Sequence, residues 1–434
     1  MLHYSRYNYI TELEPGKKWG LINLQTLTGF KLNRLTKLLY DNILKAPDNR
    51  LAKVLKAQGF LVDYDELAHY RAMHAAVTTN SQHLALTICT TLGCNFRCPY
   101  CFEEHGQGPV SEEVQEAIVK MVKDYFDEFN PKSFHVTWFG GEPLLYPEVI
   151  QRLSGVFIEL CEQYKVKYDA SVFTNCYLLT PELATMLESC QVQGIFTTLD
   201  GMQAINDKTR VLADGRGTFE HIVENLRQLK TTMKIIVRSN LSSVNKDDFP
   251  KLQRFMQELE AETGNSIRVY GAYMRNYENT PDEVSATVLD YGSFLEEEVI
   301  GNGRKYATLK PCEYNFCGIT AFSSFTVDDK GDLYKCWNHV GRQEYSVGNV
   351  LEEGKPWLEQ TKTRCGAEYL GFDVTRYPEC AECILLPQCN GGCLDERFRM
   401  QDGKYCKKPM LKVLDELVKR RFAEAEDVLN SNLR

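Results

Sequence analysis

Along most of the chain, short apolar runs alternate with amphipathic stretches, a rhythm that predicts strands and helices in turn. Six apolar runs read as strands: Leu84–Thr90, Val136–Phe139, Ala170–Thr174, Gly194–Leu199, Lys234–Ser239 and Ile267–Tyr270. Ser111 suits a helix N-cap, and Glu112 and Glu113 follow it at the positive end of the helix. Val114, Ile118, Met121, Val122 and Tyr125 then fall on one helical face. Thr180-Pro181-Glu182 marks another start, with proline at the first helical position. Six βα repeats predict an α/β fold with a parallel sheet and right-handed crossovers, either an incomplete barrel or an open sheet. In either arrangement chemistry belongs at the carboxyl ends of the strands.

Both ends of the chain break this rhythm. Residues 1–80 read as two short strands (Tyr7–Ile10 and Trp19–Asn23) and a helix over Phe30–Leu44 with Leu32, Leu35, Leu38 and Leu39 on one face. A second helix near Ala52–Gln58 stops at Gly59, and a strand Phe60–Asp63 follows. That order fits a winged-helix-like α+β module, or else an N-terminal extension packed on the main domain. Beyond about Asn302 the repeats cease. Lys407–Leu429 is helical by pattern, and Leu411, Leu414, Val418 and Phe422 are spaced for one core-packing face. The expected divisions are 1–80, 81–302, 303–406 and 407–434.

With 434 residues, 43% of them hydrophobic and 25% charged, the chain has the balance of a globular protein rather than a disordered or coiled-coil one. No apolar run approaches the ~18 residues of a membrane span, and the first residues lack the apolar core of a signal peptide. A cytoplasmic protein with no membrane partner is expected. The net charge of −9 argues against a nucleic-acid partner. Residues 1–80 depart from it, with 11 Lys+Arg against 7 Asp+Glu, a local +4 that leaves −13 for the remainder.

Cysteine changes the picture most. None of the 16 precedes Cys89, and nine lie at or after Cys312. In a reducing compartment such clusters read as metal ligands or redox groups. Cys94-Asn-Phe-Arg-Cys98-Pro-Tyr-Cys101 puts three thiolates on one loop after the first strand of the repeats. Three ligands on a cubane leave one iron open to bind and activate a small molecule. A zinc site is the alternative; it needs a fourth ligand, for which His105 is the candidate.

C-x3-C-x-aromatic-C on the loop after the first strand of a βα barrel resembles the radical S-adenosylmethionine (SAM) superfamily. The resemblance implies a partial (β/α)6 barrel in which Cys94, Cys98 and Cys101 hold a reducing [4Fe–4S] cluster and Tyr100 packs near the adenine. The next strand ends in Gly140-Gly141-Glu142-Pro143, similar to the family's GGEP element, which binds the amino group of SAM. The chemistry agrees, since two glycines allow close backbone approach and Glu142 is an anionic acceptor for an ammonium. Thr174-Asn175-Cys176 looks like the family's Thr-Asn-Gly strand end, with cysteine for glycine. Asp200-Gly201 with Arg210, and Arg238 with Asn240, resemble later segments, the last pair approaching the SAM ribose and carboxylate. Strand-end capping or a surface ion pair would explain each of these weaker matches equally well.

Near the C-terminus, Cys317 is followed by Gly331-x4-Cys336, then Cys380-x2-Cys383-x5-Cys389-x3-Cys393 and Cys406. This resembles the seven-cysteine SPASM pattern of peptide-modifying radical SAM enzymes, and Cys312 adds an eighth thiolate. Eight cysteines suit two fully ligated auxiliary [4Fe–4S] clusters, or two tetrahedral zinc sites. The family pattern implies Cys312, Cys317, Cys336 and Cys393 on one cluster and Cys380, Cys383, Cys389 and Cys406 on the other, three clusters in all. The remainder, Cys89, Cys161, Cys176, Cys190 and Cys365, read as small apolar side chains.

What the resemblance implies is a radical SAM maturase that crosslinks a ribosomally made precursor peptide through a thioether or carbon–carbon bond. Residues 1–80 would bind its leader by strand addition, and an external flavodoxin or ferredoxin would supply electrons. A formylglycine-generating sulfatase maturase is the alternative, but such enzymes carry Asp after the cysteine that aligns with Cys336, where this chain has Trp337. A non-catalytic metal-cluster scaffold would leave the GGEP element without a purpose. Asp200 and Glu313 are nominated as a base by position alone.

Overall fold

The computed structural model describes residues 1–277, 280–301, 309–310, 312, 316–399 and 406–431, so Glu313 lies outside the described residues. The chain divides into two compact units: Met1–Thr78 with Asp290–Cys317 and Phe372–Arg434, and Thr79–Leu289 with Gly318–Gly371.

The first unit opens with strands β1 (His3–Tyr4), β2 (Asn8–Glu14), β3 (Lys18–Asn23) and β4 (Gly29–Asn33). Strands β2, β3 and β4 form an antiparallel sheet in that order, and β1 pairs with β5 (Leu61–Val62). Helices α1 (Arg34–Asp41), α2 (Arg50–Ala57) and α3 (Glu66–Thr78) complete the N-terminal stretch. The helix expected from Phe30 thus begins later. Phe30 and Leu32 lie opposite Leu21 and Trp19 in the sheet, and Asn33 stops the strand by forming a capping box with Thr36. Leu32 is buried, but Leu35, Leu38 and Leu39 are exposed, so the four do not share a core face. Helix α3 escaped notice because its apolar residues spread round the helix without a stripe.

Segments distant in sequence build the same unit. The terminal helix Leu414–Ser431 buries Leu414, Val418 and Phe422. Phe422 lies flat on the sheet, where a Cβ at Gly20 or Gly29 would stand 2.5 or 2.9 Å from its ring. Tyr70 on α3 donates to Asn390 Oδ1 at 2.9 Å, Gln388 donates to the Leu24 carbonyl at 2.6 Å, and the Cys312 amide donates to Gln25 at 2.9 Å. Residues 1–78 therefore pack with both later stretches inside this unit.

In the second unit, β6 (His83–Thr91), β7 (Ser133–Gly140), β8 (Lys167–Phe173), β9 (Val192–Thr198), β10 (Lys234–Leu241) and β11 (Ile267–Tyr273) run parallel in chain order. β11 does not pair with β6, so the barrel is partial. Beyond the expected repeats, β12 (Ser324–Val327) adds a seventh parallel strand along the free side of β6. β13 (Asp332–Tyr334) and β14 (Gly348–Asn349) continue the sheet antiparallel. Helices α4 (Glu112–Phe129), α5 (Pro147–Tyr164), α6 (Pro181–Ser189), α7 (Gln203–Thr209), α8 (Phe219–Gln228) and α9 (Phe249–Thr263) intervene. Ser111 and Thr180 cap α4 and α6 as expected.

Alternation along β7 shows how the sheet is held. Phe134, Val136 and Trp138 are fully buried in the core formed with α4 and α5, each side chain contributing ~1.5–3 kcal/mol. His135, Thr137 and Phe139 point to the opposite face, because successive side chains alternate across a strand. Among the described residues no helix is long and apolar enough to cross a membrane.

Candidate active site

A cavity of about 300 Å³ opens at the carboxyl ends of the barrel strands. Its wall brings together Cys94, Cys98, Tyr100, Cys101, Gly140, Gly141, Thr174, Asn175, Arg238 and Asn240, each nominated from sequence. Local pairing explains why the cysteine loop sits there. Phe96 is buried and bridges Leu212, the Arg97 amide donates to Val211 at 2.8 Å, and the Ala213 amide donates to Asn95 at 2.9 Å. Asn175 Nδ2 reaches Asn95 Oδ1 at 2.7 Å, tying the end of β8 to the same loop.

Glu142 and the paired glycines make close contacts within the rim itself. Glu142 is fully buried and does not line the cavity. Its carboxylate accepts from Thr174 Oγ1 (2.6 Å) and from the amides of Asn175 (2.7 Å) and Leu144 (3.0 Å), so it fixes two wall residues from behind. A Cβ at Gly140 (φ +114°) would lie 2.0 Å from the Thr91 carbonyl, and one at Gly141 2.3 Å from that of Gly93. The glycines admit the cysteine loop's own backbone.

Asp200, nominated as a base, also lies outside the wall. Its carboxylate accepts from the Tyr100 hydroxyl, from Thr209 Oγ1 at 2.9 Å and from the Asn240 amide at 3.1 Å. It positions two wall residues, Tyr100 and Asn240. Burial, then the Asp200 charge, pushes the Tyr100 hydroxyl upward, keeping it protonated as a donor. Cys176 occupies the position of the family glycine at φ +60°, fully buried.

Several wall residues were not nominated as site residues, and Trp337 was singled out only as a departure from the sulfatase maturases. Phe173 stacks on Phe196 with centroids 4.6 Å apart, and Trp337 stacks on Phe139 at 5.5 Å. Glu103 is buried in the wall, where burial and the Glu142 charge push its carboxyl up to about 8. No short motif marks these positions; only alternation toward the inner face could have nominated the phenylalanines.

Residues 88–256 match the family model described as the radical SAM superfamily. The chain carries a radical SAM domain. Among its relatives is the radical SAM cyclopropyl synthase TigE of Paramaledivibacter caminithermalis, 21% identical over 410 residues that cover 85% of this chain and 82% of that one. The cysteine-type anaerobic sulfatase-maturating enzyme of Clostridium perfringens is 26% identical over 349 residues, 72% of this chain and 88% of that one. The solved structure of native anSMEcpe with bound AdoMet and Cp18Cys peptide shares the fold at a TM-score of 0.59, with 21% identity over 80% of this chain and 99% of that one. Streptococcus suis SuiB bound to precursor peptide SuiA does so at 0.50, with 14% identity over 94% and 99% of the two chains.

The residues of the radical SAM domain fit the groups its family uses. Burial pushes the Cys94 and Cys101 thiols up to about 12, so a bound cluster must displace their protons. Burial raises the Cys98 thiol as well, and the nearby Arg210 guanidinium only partly offsets this. His105 is exposed and outside the cavity. Three cysteines on one rim loop are the ligand number of a cubane that keeps one iron open. The buried Nε groups of Arg210 and Arg238 have no hydrogen-bond partner in the protein, a donor excess suited to a ligand with carboxylate and ribose oxygens.

Of the eight C-terminal cysteines, Cys336 belongs to the barrel unit and the other seven to the first unit. Within the first unit burial raises the thiols of both Cys380 and Cys389. Cys380 accepts from Arg397 Nη1 at 3.6 Å, and Cys406 accepts from the Lys408 amide at 3.4 Å. Cys89, Cys161, Cys176 and Cys190 are buried, whereas Cys365 is half-buried with its thiol 3.3 Å from the Glu344 carbonyl.

Proposed function

We propose that this radical SAM enzyme modifies a ribosomally made precursor peptide by oxidative crosslinking, forming a thioether or a carbon–carbon bond. The observation that carries the reading is Trp337, whose indole lines the cavity and stacks on Phe139. The sulfatase maturases' aspartate is thus replaced by an aromatic wall, which suits packing an apolar side chain rather than deprotonating a hydroxyl or thiol. The neighbours' descriptions support a peptide substrate, since SuiB is described with a precursor peptide and native anSMEcpe with the Cp18Cys peptide.

On this reading Cys94, Cys98 and Cys101 hold the cluster, while Tyr100, Gly140, Gly141, Thr174, Asn175, Arg238 and Asn240 surround SAM. The pair supplies a 5′-deoxyadenosyl radical able to take hydrogen from an unactivated C–H. The protein contributes orientation and exclusion of water. Phe139, Phe173, Phe196 and Trp337 keep the inner face dry, and Glu142 and Asp200 hold the wall from behind. Cys312, Cys317, Cys336 and Cys393, and Cys380, Cys383, Cys389 and Cys406, are the ligand sets assigned to two auxiliary clusters. An external flavodoxin or ferredoxin is the assigned electron donor.

The test is co-expression with peptides from neighbouring reading frames, followed by tandem mass spectrometry. A product lighter by a pair of hydrogens, with deoxyadenosine formed in step, is expected. A thioether consumes a free thiol; a carbon–carbon link leaves every thiol alkylatable. An aldehyde trapped by a hydrazine, or a gain in mass, would overturn the crosslinking reading.

A further inference from the structure

Beside the C-terminal cysteines the first unit buries a guanidinium. Arg397, on the short helix Leu394–Arg399, leaves only 4% of its side chain exposed. A buried charge is costly unless it is paired and hydrogen-bonded. The guanidinium carbon lies 3.8 Å from the centre of the Tyr377 ring and 5.8 Å from that of Phe372, a cation held against two aromatic side chains. From there Nη1 donates to Cys380 Sγ at 3.6 Å and to the Gly391 carbonyl at 3.5 Å. Nη2 stands 3.6 Å from Glu379, but that side chain is 58% exposed, so solvent screens its charge more than it screens the buried contact with sulfur.

The sulfur it meets belongs to one of the ligand sets assigned above to an auxiliary cluster, and the local structure suits that grouping. Burial raises the thiols of Cys380 and Cys389, and the Cys406 charge adds to the rise in both, so these three sulfurs stand near one another. Cys383 follows within one turn, its amide donating to the Cys380 carbonyl at 3.1 Å. A thiolate bound to iron still accepts from an N–H donor, and such hydrogen bonds, with the nearby charge, set a cluster's reduction potential. A fixed cation favours the reduced state because that state carries one more negative charge. Arginine suits the task better than lysine, since its planar fork can stack and donate at once. We infer that Arg397 holds up the reduction potential of the cluster on Cys380, Cys383, Cys389 and Cys406 through its N–H···S hydrogen bond to Cys380, a proposal that rests on the auxiliary-cluster assignment. A raised potential suits a centre that receives an electron during a net oxidation.

The test is a redox titration of the full-length protein, reconstituted with iron and sulfide and followed by electron paramagnetic resonance. Added SAM marks the signal of the cluster on Cys94, Cys98 and Cys101, and the signals it leaves unchanged are the auxiliary ones. Arg397→Met removes both charge and donor, so the midpoint potential of an auxiliary signal should fall. Arg397→Lys keeps the charge without the fork and should lie between that variant and wild type. Glu379→Gln removes the opposing anion, so the same potential should rise, by less because Glu379 is exposed. Lost stacking lowers the melting temperature of Arg397→Met whatever its redox role, so the potential decides and not the stability. Should that variant lose its cluster, the opposite shifts of Arg397→Lys and Glu379→Gln still decide. Auxiliary potentials that stay at the wild-type value in those two variants, or that rise when Arg397 is replaced, would overturn the proposal. Failure of the cluster assignment looks different: the wild-type protein itself then shows no auxiliary signal and carries zinc or no metal at these cysteines, and the proposal falls with it.

Discussion

The barrel unit takes Thr79–Leu289 in one run and adds a short return, Gly318–Gly371, whereas the other unit is assembled from three separated stretches that include both chain ends. In the barrel, each βα repeat delivers its strand end to a common rim, so cysteines, glycines and arginines meet by repetition of a local rule. In the other unit nothing local suffices. Leu24 meets Gln388, Gln25 meets Cys312, and Gly20 meets Phe422 only because the whole unit has closed. The contrast teaches that the barrel should tolerate insult piecemeal while the other unit should fail as a whole.

The largest effect separates the units chemically. Replacing Cys94, Cys98 and Cys101 by Ala should abolish SAM cleavage and remove one cluster's iron. The iron assigned to the C-terminal cysteines should remain, as read by iron analysis and Mössbauer spectroscopy. If all iron is lost together, the units are not independent. Removing residues 1–78 tests the converse. It strips the partners of Gln388, Asn390 and Phe422, so soluble yield and C-terminal iron should collapse. A soluble truncation that keeps its iron would show that stretch to be detachable after all. Phe422→Ala asks the same question more gently: losing a buried ring that packs on glycine costs ~3–5 kcal/mol, visible as a lowered urea midpoint.

This contrast also governs what was legible beforehand. The cysteine loop, the glycine pair and the six parallel strands are marked by residues whose spacing alone has meaning. The phenylalanines of the wall carry no such mark, since an inward-facing aromatic looks like any core residue; Trp337 is marked only by its place after Cys336. Asp200 and Glu142 sit beside the cavity as expected, but sequence shows only that a carboxylate is near a site and not which donors it binds, here Tyr100, Thr209 and Asn240 for one and Thr174, Asn175 and Leu144 for the other. Strand β4 was read as helix because Leu32 continues the leucine spacing of α1, and only pairing with β3 decides otherwise. The leucines left exposed were legible as a stripe, but not as one facing outward.

A smaller effect sharpens the account of the barrel rim. Glu142→Gln keeps an acceptor for some of its donors, while Glu142→Ala leaves Thr174 and the Asn175 and Leu144 amides without any. Unmet buried donors cost ~1–3 kcal/mol each. KM for SAM should therefore rise about tenfold in the alanine variant, with the glutamine variant between it and wild type. Cluster content should be unchanged in both. Equal damage from both would mean that the charge itself contacts SAM.

The smallest effect tests the barrel's extra strands by pH. Asp328, between β12 and β13, is buried and accepts from the Lys330 and Asp332 amides at 3.0 and 2.9 Å and from the Tyr334 hydroxyl at 3.1 Å. Burial, reinforced by the Asp332 charge, nevertheless pushes its carboxyl up to about 6. An unfolded aspartate titrates near ~3.9, so between those values the folded state holds a proton that the unfolded state has released. Stability must then fall as pH rises through that window and level off above it. Asp328→Asn keeps an acceptor for the two amides and cannot ionise, so its profile should be flatter between pH ~4 and ~6. Hydrogen exchange of the β12–β13 amides reads this locally: wild type should lose protection as pH rises once the intrinsic pH dependence of exchange is removed, and the variant should not. Amides of the terminal helix, in the other unit, should behave alike in both proteins. Matching β12–β13 profiles would mean that the three hydrogen bonds outweigh burial and that Asp328 stays ionised throughout.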